Sequence, residues 1–142
     1  MTWRWTALLV ALSAGSCVIP VDSKGAEAIP TEMAVATLRD LLPTAIYVGC
    51  TDPRASFLQA DVKDWSVDEK GVEFRTPREE PFRFLWSGSR GAELTRGPLS
   101  YEVRVFMVTP DNPRKVLFRF SWKEEAPARR AVELFEALRG DR

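Results

Sequence analysis

Between Ile46 and Trp122, apolar and polar residues alternate in short runs broken by turn-forming residues, the pattern of antiparallel strands with one buried face. Ile46, Tyr47 and Val48 lead into Gly49 and Cys50 as a short apolar strand. Val62, Trp65 and Val67 mark the next, and the alternation slips near Asp64, which predicts a bulge. Asp68, Glu69, Lys70 and Gly71 form a turn, after which Val72 and Phe74 alternate with Glu73 and Arg75, so a hairpin is expected. Phe82, Phe84 and Trp86 share one face opposite Arg83 and Leu85, whereas residues 87–98 carry three glycines and read as a loop. Tyr101, Val103, Val105 and Met107 line one face of a further strand, with Glu102 and Arg104 on the other. The turn Thr109, Pro110, Asp111, Asn112, Pro113 joins it to a strand in which Val116, Phe118, Phe120 and Trp122 alternate with Leu117, Arg119 and Ser121.

The period changes on either side of this block. Thr31 can cap a helix whose Met33, Ala34, Thr37, Leu38 and Leu41 follow three-four spacing until Pro43 stops it, and that face either packs on the sheet or docks a partner. At the other end Ser121 and Glu124 have capping-box spacing, and Pro127 fits only a first turn. Ala128, Ala131, Val132, Phe135 and Leu138 make the apolar stripe of an amphipathic helix that ends near Gly140. In order and spacing, residues 46–139 resemble the pleckstrin-homology-like barrel, which implies a curved sheet plugged at one end by the final helix. An open antiparallel sheet with two helices on one face accounts for the same pattern. The expected fold is therefore α+β, an antiparallel sheet or a barrel of that kind with about six or seven strands, an N-terminal helix and a C-terminal amphipathic helix.

The start of the chain follows different rules. Arg4 precedes an apolar run through Leu12 and then the small residues Ser13, Ala14, Gly15 and Ser16, the order of a secretory signal. A run of about ten apolar residues is half of the roughly twenty that span a bilayer, so a permanent transmembrane helix is not expected. Ala14-Gly15-Ser16-Cys17 resembles the lipobox of bacterial lipoproteins, with Ala14 where the family usually has Leu and Ser16 where it usually has Gly or Ala. The resemblance implies acyl chains on Cys17, which becomes the mature N-terminus. Val18, in the place where the family's inner-membrane retention signal often has Asp, favours the outer membrane with the domain facing the periplasm. Two other readings stay open: Cys17 follows an ordinary signal-peptidase site, or it bridges to Cys50 in an oxidising compartment. Residues 18–30 are poor in large apolar side chains and contain Pro20, Gly25 and Pro30, as in a flexible tether reaching up to about 40 Å when extended. The organisation expected is a signal over residues 1–16, lipid attachment and tether over 17–30, and a single domain over 31–142.

Charge and chemistry narrow the function. The 20 basic and 20 acidic residues balance, so there is no electrostatic footprint for nucleic acid or for an anionic bilayer surface. The sequence contains no histidine, which rules out a Ser-His-Asp triad and an imidazole metal site. Asp61, Asp64 and Asp68 invite a calcium or glycosidase reading, but strand alternation sets Asp61 and Asp64 on opposite faces, and a solvated strand is expected instead. Cys50 has no activating neighbour and reads as the buried end of a strand. Trp65, Trp86, Trp122 and Tyr101 fall in phase with core positions; Trp86, at a strand end beside the glycine-containing loop, is the one expected at the surface. Arg83, Arg90 and Arg96 flank it and can meet an anion. The expected function is a membrane-anchored, non-catalytic module that binds or scaffolds another envelope protein, without metal or cofactor. The alternatives are a small-molecule binder around Trp86 and, third, a carboxylate-based enzyme.

Overall fold

The computed structural model describes residues 17–49, 56–78, 81–107 and 115–141; the leader, Cys50 and the turn at 109–113 lie outside the described residues. In chain order the elements are β1 (Cys17–Ile19), α1 (Thr31–Leu41), β2 (Tyr47–Gly49), β3 (Ser56–Leu58), β4 (Lys63–Val67), β5 (Gly71–Arg75), β6 (Pro81–Leu85), β7 (Ser89–Arg96), β8 (Tyr101–Met107), β9 (Lys115–Trp122) and α2 (Glu125–Ala137). They form an α+β fold with a six-stranded sheet in the order β1-β7-β8-β9-β2-β3 and a separate three-stranded sheet β4-β5-β6, both antiparallel. Among the described residues no closed barrel forms, so of the two architectures expected it is the antiparallel sheet and not the barrel that is seen. After β3 the chain makes a 3-10 turn at Gln59–Asp61, and Asp64 then sits at φ 58° where the β4–β5 register shifts, so β4 starts a new sheet instead of extending the first.

Register shows how the larger sheet makes a core. Ile19, Leu94, Val103, Phe120, Val48 and Phe57 face one another in turn across all six strands, an unbroken apolar row on one side. The smaller sheet brings its own rings to that side: Phe118 of β9 lies 4.5 Å from Phe82, 4.6 Å from Phe84 and 6.0 Å from Phe74 between ring centres. Phe135 of α2 stacks on Phe120 at 5.8 Å. Such pairs add about 0.5–1.5 kcal/mol each to the burial of the rings.

Helix α2 buries its whole expected stripe, Ala128, Ala131, Val132, Phe135 and Leu138. Helix α1 is rotated from its expected face: Ala34, Val35 and Leu38 are buried with Leu42 just beyond, while Met33 is 53 % exposed. The expected caps do not form either. Pro30 and Glu124 hold the N-cap positions without side-chain hydrogen bonds, and Ser121 is kept in β9, where its carbonyl accepts the Ile46 N–H at 2.7 Å.

Two segments read as irregular are built into the larger sheet. Residues 89–96, expected to be part of a loop, are strand β7, paired with β8 on one side and β1 on the other. Leu94 is the one large apolar residue in this strand, and Gly91, at φ 96°, sits in a bulge where the β7–β8 register shifts, so little alternation was visible. At the chain start, where a free tether was expected, Cys17, Val18 and Ile19 pair with Arg96, Thr95 and Leu94. The segment stays on the domain further along: Arg129 of α2 donates to the Pro20 carbonyl at 3.2 Å, and Ala26 is buried.

Candidate functional site

The surface expected around Trp86 is not assembled. Trp86 enters a 3-10 turn, Trp86–Gly88, directly after β6, and its N–H bonds the Lys70 carbonyl at 2.9 Å, which turns the ring inward. The indole is 6 % exposed, donates its own N–H to the Asp68 carbonyl at 2.8 Å, and meets Phe84 edge-on at 5.8 Å. It is a core residue that ties the β4–β5 turn to the end of β6. Arg83 projects from β6 and pairs with Glu73 at 3.1 Å. Arg90 donates to the Ser87 and Ser89 carbonyls at 3.0 and 2.9 Å, and Arg96 lies over the Tyr101 ring at 5.9 Å. Arg90 and Arg96 stand at opposite ends of β7, roughly 20 Å apart at about 3.3 Å per residue, and Arg83 belongs to the other sheet. The three arginines do not converge on one ligand position.

Two hollows open on the smaller sheet. One, of about 240 Å³, is lined by residues that include Ser66, Asp68, Lys70, Glu73, Arg83 and Leu85. That is below the roughly 300 Å³ at which small-molecule pockets begin. Its Asp68 carboxylate is already engaged: it accepts the Lys70 and Gly71 N–H groups at 2.8 and 3.1 Å, which holds its pKa below the ordinary value. The other, of about 360 Å³, is lined by Asp61, Lys63, Asp64, Arg75, Thr76 and Pro77. Asp61 and Asp64 therefore share a hollow instead of lying on opposite faces, because the 3-10 turn and the bulge break the alternation between them. Asp64 faces Arg75 at 3.5 Å, an exposed pair of small energetic weight. No group of three potential metal-ligating side chains occurs among the described residues.

The opposite side of the larger sheet carries the polar partners of the core row. Val18, Thr95, Glu102, Ser121, Tyr47 and Leu58 face one another in turn across its strands. In the adjacent row Glu93, Arg104, Arg119 and Gly49 follow one another. Arg104 binds Glu102 at 2.8 Å, and Arg119 lies over Gly49, where an added Cβ would stand 2.8 Å from its Nε. The glycine leaves room for the guanidinium to lie flat on the sheet. Alternation had set Glu102 and Arg104, and separately Arg119 and Ser121, opposite the apolar residues of their own strands; their placement side by side and beside β2 needed the strand order.

A second polar cluster, unforeseen from sequence, joins the C-terminus to β7. Glu136, 8 % exposed, accepts the Ala92 N–H at the bulge at 3.1 Å and an Arg139 N–H at 3.2 Å. Arg139 also forms two bonds of 2.9 Å to Asp141, which, ahead of Glu136, raise the guanidinium pKa further and draw the Asp141 carboxyl down to about 2. These groups satisfy one another, so the cluster is a structural clasp.

Cys17 is exposed and unpaired among the described residues, and it opens β1 at one edge of the larger sheet. No described helix is long and apolar enough to cross a membrane. No protein-family model, curated protein or solved structure gives a significant match to this chain.

Proposed function

We propose that this chain is a bacterial envelope lipoprotein, acylated on Cys17 and acting as a non-catalytic binding or scaffolding module on the periplasmic side of the outer membrane. The observation that carries the reading is the position of Cys17. It follows a signal-like leader, its side chain is accessible, and it is the first residue of a strand at the sheet edge, where acyl chains disturb no core contact. Each buried methylene contributes about 0.8 kcal/mol, and more than one chain makes attachment durable.

Burial of Trp86 favours this reading over the small-molecule binder, which needed that ring at the surface. The scaffold reading also agrees with the histidine-free sequence and with the balanced charge, since a partner would be recognised by shape and local pairs and not by a long-range field. With β1 docked on β7, the domain would stand directly on the bilayer, with the polar face of the larger sheet turned to neighbouring envelope proteins.

Detergent phase partitioning of wild type and Cys17→Ala tests the anchor. Wild type is expected in the detergent-rich phase and Cys17→Ala in the aqueous phase with an unchanged circular dichroism spectrum. Identical partitioning of the two would remove Cys17 as the attachment point.

A further inference from the structure

We infer that the β7–β8 turn, residues 97–100 with Leu99 at its tip, is a second membrane contact that enters the bilayer interface beside the acylated Cys17. The inference rests on the proposed anchor and adds an orientation to it.

Register supplies the first argument. Cys17 pairs with Arg96, the last residue of β7, so the attachment point lies one strand spacing, about 5 Å, from the residue that leads into the turn. The turn is tight: Arg96 faces Tyr101 across the hairpin, and the Gly97 N–H bonds the Ser100 carbonyl at 2.9 Å. Because Cys17 is itself the first residue of β1, no free linker separates lipid from sheet. Acyl chains on its sulfur would bring this corner of the molecule to the headgroup level.

The chemistry of the corner supplies the second. Leu99 is 90 % exposed, the highest value for a large apolar side chain among the described residues, and Val18, next to the anchor, is 62 % exposed. Gly97, Pro98, Leu99 and Ser100 carry no charge, so inserting the tip would desolvate no ion. Arg96 lies over the Tyr101 ring at the base of the turn, a cation and an amphipathic ring at the depth where headgroups would be. An uncharged apolar tip above such a base suits a lipid surface, whereas a protein docking site would be expected to offer a broader apolar patch.

The test uses the acylated chain in vesicles of phosphatidylethanolamine with a minor fraction of phosphatidylglycerol. Acylation consumes the Cys17 thiol, so Cys50→Ser combined with Leu99→Cys leaves one position for an environment-sensitive nitrobenzoxadiazole label. Met33→Cys in the same background is the control, since Met33 is exposed on α1. The expected result is co-flotation of both proteins with vesicles, with blue-shifted emission and quenching by doxyl-labelled lipid at position 99 alone. Co-flotation with the two labels behaving alike would overturn the inference and leave the anchor standing. Failure of both proteins to float would overturn the anchor and this inference with it.

Discussion

Gly91 holds a backbone conformation, φ 96°, that side chains on L-residues rarely adopt, and an added Cβ would stand 2.5 Å from Glu136 Oε1. Gly91→Ala is therefore expected to cost about 1–3 kcal/mol, read as a lower urea midpoint with an unchanged slope. From sequence, a bulge glycine inside a strand and a loop glycine look the same. Trp86 shows the same limit: its phase placed it with Phe82 and Phe84, but only the 3-10 turn that follows Leu85 explains why the ring points inward. Asp141 makes a pH-dependent prediction. Its carboxyl is drawn from 3.8 to about 2 by the Arg139 guanidinium, so the stability it adds is present above about 4 and disappears as pH falls toward about 2. A carboxyl-detected NMR titration should place its midpoint near about 2 in wild type and at the ordinary value in Arg139→Ala. An ordinary midpoint in wild type would show that the pair does not form in solution.

Among the elements, α2 was the most legible, because five apolar residues at helical spacing leave one way to bury them, and all five are buried. Its start was not: the capping-box spacing of Ser121 and Glu124 lost to strand pairing, which keeps Ser121 in β9. The hairpin β4–β5 and the irregularity at Asp64 were visible as a turn signal and a slip of alternation. Strand β7 was hidden, since its neighbours supply most of the apolar surface around it and its own residues are largely polar. The clasp between α2 and β7 replaces what a hydrophobic strand would contribute. Glu136→Ala should cost about 1–3 kcal/mol by leaving the Ala92 N–H without its carboxylate, while Glu136→Gln keeps an acceptor and should cost less. Equal losses in thermal melts of the two variants would argue against that role. Phe118 joins the two sheets, and Phe118→Ala is expected to destabilise by about 3–5 kcal/mol, measured by urea denaturation.

For the whole molecule, the alternation of strands gave the α+β class and the closing helix, but closure into a barrel depends on whether strands next to each other in sequence also pair. The pair β3 and β4 does not, and a three-residue 3-10 turn separates their sheets. The expected Trp86 and arginine surface dispersed for the same reason, because Arg83 and Arg96 went to different sheets. The small residues before Cys17 carry only a resemblance to a lipobox, and the pairing of Cys17 with Arg96 was not legible, since an edge strand as short as β1 leaves almost no pattern. As proposed, Cys17 carries the lipid and holds the domain on the bilayer without a free linker. Intact mass of the membrane-fraction protein tests it most directly. The expected result is a chain that begins at Cys17 and carries acyl mass; a chain without that mass, lighter instead by the two hydrogens that a bridge to Cys50 removes, would contradict the proposal.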